Sequence, residues 1–153
     1  RILLFFVFLC FAEALTKDLM KELLGSNNDG KRTLKSWNGR YLSVHIDCLI
    51  CGERFPKTDA VRPGKEERWT VERINDNEVA LLGGHGRYLQ HGTNDRAAYS
   101  RAGADTWEFL TPVKNSDGSW SFKSRWGKWL SAFDTRRVWF MNEKKETEHW
   151  WLE

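Results

Sequence analysis

Three short stretches constrain this chain more than any other feature. "GRYLSVH" opens at Gly39, "GRYLQHG" at Gly86 and "GKWLSAF" at Gly127. Each writes glycine, a basic residue, an aromatic and a leucine in the same order. A glycine reaches backbone angles closed to other residues, and so permits a tight turn. The aromatic and the leucine that follow fall on opposite faces of a strand. Leu42, Leu89 and Leu130 are therefore expected at equivalent core positions, with Tyr41, Tyr88 and Trp129 on the other face.

The likeness extends beyond the turn. Each copy has an apolar strand before the glycine and a variable arm after it. An acidic or polar residue then comes shortly before a tryptophan, and Trp69, Trp107 and Trp150 are expected to close the three copies. The first arm is the longest, its surplus lying around "IDCLICGERFPKT". Propellers repeat at a similar period but require at least four blades. Three copies in one short chain point instead to an all-β fold, a β-trefoil of three pseudo-symmetric repeats around a shared core. From Lys31 onward, short aromatic and branched segments are broken by Gly, Asn and Asp, with hairpin signals at Asp117-Gly118 and Asn75 to Asn77. Nine tryptophans supply much of such a core from few side chains.

Ahead of the repeats, "LTKDLMKELLG" places Leu15, Leu19, Leu23 and Leu24 on one helical face, with Thr16 as N-cap and Gly25 as stop. A short amphipathic helix docked on its own domain is expected there. Before it, Arg1 leads an apolar run from Ile2 to Ala12, with a small-x-small exit through Ala12, Glu13 and Ala14. That run is too short for a bilayer, which needs about 20 residues in a helix. It has the form of a secretory signal peptide cleaved after Ala14. The expected organisation is a signal peptide at 1–14, a helix and loop at 15–29, and the trefoil at 30–153. Its repeats run at 31–76, 77–117 and 118–153, to within a few residues.

Export would place the chain in an oxidising compartment. Cys10 leaves with the signal, so Cys48 and Cys51 remain as a candidate disulfide across the enlarged arm, with free or intermolecular thiols as the alternative. His45 adds metal-like spacing to the pair, but a closed zinc site takes four ligands. No second cysteine pair exists, so neither metal nor cofactor is expected. The formal charge of +3 is far from the clustered excess of a dedicated nucleic-acid binder. No further stretch is long enough to span a membrane, and a monomer is expected.

Two groups of side chains are candidates for binding. Lys123, Arg125, Lys128, Arg136, Arg137, Lys144 and Lys145 gather in the last repeat, where converging basic tips would meet a sulfated glycan or an acidic protein surface. Trp37, Trp126, Trp139 and Trp151 exceed what a closed core requires, and an exposed ring would stack on a sugar or anchor a protein. The Gln-x-Trp signature of ricin-type trefoil lectins is absent, since the one glutamine is Gln90. No serine sits in a nucleophile elbow and no Cys–His pattern matches a protease, so no catalytic residue is assigned.

"VALLGGHGRYLQ", "SFKSRWGKWLSAF" and "RVWFMNEKKETEHWWLE" resemble the repeats of the fascin and hisactophilin group, over Lys31 to Glu153. The resemblance implies a β-trefoil. Known members bind and cross-link actin filaments inside cells. This chain departs from them in its expected signal peptide, its single trefoil and its lack of histidine-rich loops. The expectation is a secreted, non-catalytic binding protein that recognises a glycan or protein partner through its loops. A fascin-like protein binding filamentous actin is the alternative.

Overall fold

The computed structural model describes residues 15–44 and 55–153. Helix α1 (Lys17–Leu24) comes first, then β1 (Lys31–Arg32), β2 (Leu34–Ser36), β3 (Tyr41–Ser43), β4 (Lys57–Ala60) and β5 (Trp69–Arg73). The middle of the chain forms β6 (Val79–Gly83), β7 (Arg87–His91), β8 (Ala97–Ser100) and β9 (Leu110–Lys114). It ends with β10 (Trp120–Ser124), β11 (Trp129–Ser131), β12 (Trp139–Met141) and β13 (Trp150–Leu152).

All of the pairings are antiparallel. β1 pairs with β5 and β2 with β13, so the two pieces on either side of Thr33 close the ring β5, β6, β9, β10, β13 into a barrel. Closure leaves the barrel no free strand edge. Three hairpins branch from it: β3 with β4, β7 with β8 and β11 with β12. They meet one another through Thr58 N–H to Thr135 O (3.1 Å) and Ala97 N–H to Val138 O (2.8 Å). The Tyr99 hydroxyl adds a bond to Ser43 O (3.4 Å). This is a β-trefoil, as the repeats predict.

The turn glycines behave alike. Gly39, Gly86 and Gly127 have φ of 79°, 67° and 77°, the left-handed region where a side chain is strained. Leu42, Leu89 and Leu130 after them are buried in one core with Phe122, Trp120 and Phe140.

The closing positions differ from expectation in one repeat. Trp69 and Trp150 are buried, but Trp107 is 46% exposed and Leu110 lies in the core instead. The shared pattern is a buried glutamate two residues before a large apolar side chain: Glu67 and Trp69, Glu108 and Leu110, Glu148 and Trp150. Each carboxylate accepts from the residue after the core leucine: Ser43 hydroxyl to Glu67, Gln90 Nε2 to Glu108 (3.2 Å), Ser131 Oγ to Glu148 (2.5 Å). Leucine fills the apolar place well enough, which frees Trp107 for the surface.

Helix α1 forms as its caps dictate. Thr16 Oγ1 accepts from Leu19 N–H (3.1 Å), and Gly25 ends the helix with φ 85°. Met20 and Leu23 are buried in the trefoil core, with Leu15, Leu19 and Leu24 packed against it. The helix therefore docks at home. No helix among the described residues is long and apolar enough to cross a membrane. The expected signal peptide and the Cys48–Cys51 pair lie outside the described residues.

Candidate binding cleft between the second and third repeats

Each repeat places one side chain just before its buried glutamate and another just before its turn glycine. At two junctions between neighbouring repeats these two positions face each other. At the junction of repeats one and two they are Glu66 and His85, with Oε1 and Nε2 3.3 Å apart. At the next junction they are Trp107 and Trp126, stacked with ring centroids 3.7 Å apart and planes 14° from parallel. Glu108, anchored in the interior, and the fixed turn at Gly127 set this pairing. Both rings remain open to solvent, 46% and 44% exposed. Two large rings left this exposed in one place are unusual on a solvated surface and make this the candidate binding surface.

Behind the pair lies His91, 3% exposed. Its ring stacks on Phe140 (4.3 Å between centroids, 3° between planes) and meets Trp126 and Trp107 edge-on at 5.7 and 6.2 Å. Its Nδ1 is 2.8 Å from Ser124 Oγ and its Nε2 is 2.8 Å from Asp95 Oδ1. In the neutral ring, Nε2–H donates to the carboxylate and Nδ1 accepts from the hydroxyl. The other Asp95 oxygen pairs with the Lys128 ammonium. The hydrogen bonds from Lys128 and then His91 hold the Asp95 carboxyl below the usual carboxylate range.

The turn that carries Asp95 is built under constraint. A Cβ on Gly92 would meet Arg96 O at 2.7 Å and the Ala98 Cβ at 2.9 Å, so only glycine fits. Asn94 and Asp95 both adopt positive φ, 59° and 63°. Asn and Asp tolerate that region best among side-chain-bearing residues, yet two in succession store strain of the kind that collects at functional sites. The result is a cleft of about 560 Å³ whose walls are the two tryptophans, the Gly92–Asp95 turn, Gln90, His91 and Lys128.

Ser124, His91 and Asp95 have the connectivity of a hydrolase relay. Ser124, however, is 5% exposed beneath the ring stack, where a nucleophile must reach a substrate carbonyl beside oxyanion donors. The relay acts as a strut that fixes the imidazole and the carboxylate under the tryptophans. No group of three His, Cys, Asp or Glu side chains among the described residues is placed to hold a metal ion.

The basic residues singled out in the sequence lie mostly outside the cleft. Arg125 forms a fork with Glu78 (2.9 and 2.8 Å) and lies over the Phe109 ring. Lys145 pairs with Glu143 at 3.0 Å. Lys123 and Lys144 approach the Trp129 ring at 5.3 and 5.1 Å. Arg136 and Arg137 are exposed on the turn after Asp134. Lys128 is the member of the group that lines the cleft. Of the tryptophans singled out, Trp126 forms the stack, Trp37 is exposed but donates its N–H to Ala132 O (3.0 Å), and Trp139 and Trp151 are half-buried. In the sequence Trp107 was expected to close the core rather than to face solvent, and Asn94, Asp95 and His91 were not singled out for binding. The Glu-x-apolar spacing at Glu108 and Leu110 was the signal that releases Trp107.

No family model matches the chain, and no curated protein sequence matches it. Solved structures do. A designed three-fold symmetric protein, ThreeFoil, superimposes with a TM-score of 0.68 at 20% identity, over 81% of this chain and 98% of its own. SeviL bound to asialo-GM1 saccharide gives 0.68 at 12% identity, over 82% and 97%. A GlcNAcα1-4Gal-releasing endo-β-galactosidase from Clostridium perfringens gives 0.68 at 14% identity, over 80% of this chain but 32% of that one. At these identities the likeness is one of fold.

Proposed function

We propose that this chain is a secreted, non-catalytic glycan-binding protein that acts as a monomer through the cleft between its second and third repeats. The observation that carries the reading is the exposed Trp107–Trp126 stack at the mouth of that cleft. A sugar offers C–H faces and hydroxyls that both donate and accept. The indole rings suit the first, while Asn94, Thr93, Asp95 and Lys128 suit the second. Large rings with a few placed polar groups are the usual make-up of a small-ligand site. Two fold neighbours named for saccharides, SeviL and the endo-β-galactosidase, lend the reading support by analogy of fold. Of the basic residues in the last repeat, Lys128 takes part and the others belong to the surrounding surface.

The test is a glycan array probed with the purified chain and with Trp107→Ala and Trp126→Ala. Saturable binding to a defined set of glycans is expected, weakened more than tenfold by either substitution while the melting temperature moves by a few degrees at most. An empty array, together with saturable co-sedimentation with filamentous actin, would replace this reading by the fascin-like one that the repeats suggest.

A further inference from the structure

A second pocket, of about 400 Å³, adjoins the cleft across the Gly92–Asn94 turn, and both take Gln90, Gly92, Thr93 and Asn94 in their walls. Its far side is made by Phe55, Arg96, Ala98 and Trp139. From this continuity we infer that the binding surface has two subsites, and that its ligand is a glycan of at least two residues. The terminal residue rests on the Trp107–Trp126 stack, and the next crosses the turn to lie beside Trp139. The inference rests on the glycan reading of the first cleft.

The chemistry of the second pocket fits a further sugar. The Arg96 guanidinium lies over the Phe55 ring, with Cζ 3.3 Å from its centroid, a cation–aromatic surface. Trp139 adds a second aromatic wall. Its indole N–H is enclosed without an acceptor among the described residues, an unfavourable state that an incoming oxygen relieves. Thr93 and Asn94, both exposed on the shared turn, have hydroxyl and amide groups to offer toward a linkage running over it. The same turn carries the strained φ angles at Asn94 and Asp95. One constrained loop therefore organises both subsites.

The experiment compares free monosaccharides with their β-linked disaccharides by titration calorimetry, choosing the terminal residue that the array shows to bind. Wild type is expected to hold the disaccharide at least tenfold more tightly. Trp139→Ala, which empties the second pocket, is expected to abolish that preference and leave the monosaccharide affinity unchanged. Because Trp139 also pairs with its hairpin, Phe55→Ala serves as an independent variant that removes the opposite wall of the second pocket and touches none of the first, with the same expected outcome. Equal affinity for the two ligands in wild type, or a preference untouched by both variants, overturns the two-subsite arrangement while the first cleft stands. A chain that binds no sugar of any length removes both.

Discussion

Trp150 donates its indole N–H to the carbonyl of Leu130 across 3.0 Å, inside the core and between the two ends of the third repeat. Trp69 does the same to Leu42 at 2.9 Å in the first. Each bond ties the closing strand of a repeat to the leucine just after its turn. In the second repeat the closing residue is Leu110, whose side chain has no N–H to offer.

Replacing Trp150 by Phe removes the donor and leaves the Leu130 carbonyl buried and one partner short. An unsatisfied buried polar group costs about 1–3 kcal/mol, and the smaller ring adds a void. The expected loss is roughly 2–4 kcal/mol by chemical denaturation. The same change at Trp126, on the surface, should cost under about 1 kcal/mol. Equal losses at the two positions would contradict the assignment of one to the core and the other to the cleft.

Asp117 anchors the hairpin between β9 and β10. It accepts from the Ser119 hydroxyl (2.5 Å) and amide (2.9 Å), and from His149 Nδ1 (2.8 Å). The Ser119 hydroxyl is the main reason its pKa falls to about 2. The folded value lies below the unfolded one of about 3.9, so Asp117 stabilises the fold fully above that unfolded value. The contribution disappears as pH falls from there through about 2. Carboxyl NMR should show the midpoint near 2, and Asp117→Asn should flatten the stability curve across that window. A normal midpoint would refute the hydrogen-bonded turn.

Leu23 is wholly buried where α1 meets the barrel. Leu23→Ala should cost about 2–4 kcal/mol, as for other buried leucines. Lys21→Ala, on the exposed face of the helix, should cost almost nothing. Parity between them would mean that the helix does not dock in solution.

Expression in eukaryotic cells with a start codon added should give a product in the medium beginning at Leu15. Cys48 and Cys51 should then resist alkylation until reduced. A product retained in the lysate with Arg1 intact would sink the proposal of export.

The fold was legible because three turns must each solve the same backbone problem, and Gly39, Gly86 and Gly127 declare it openly. The helix was legible for a similar reason, since Thr16 and Gly25 are local signals. The cleft was not. Trp107 and Trp126 are neighbours only because adjacent repeats bring the residue before one anchored glutamate against the residue before the next turn. Aligning the repeats on tryptophan hid this, for the buried position tolerates Leu110. The surroundings of the basic residues were hidden for another reason. Counting charges along a chain says nothing about partners, and Arg125 meets Glu78 from the preceding repeat.

The aromatic stack is written once, although the fold offers its place three times. At the matching positions the chain has Glu66 with His85, and Thr147 with Asn38. On the proposed glycan reading, its valence would be one among the described residues. A lone chain would decorate a glycan-coated surface without bridging two of them. Durable attachment would depend on avidity, with several chains held together so that each release is followed by rebinding at high effective concentration.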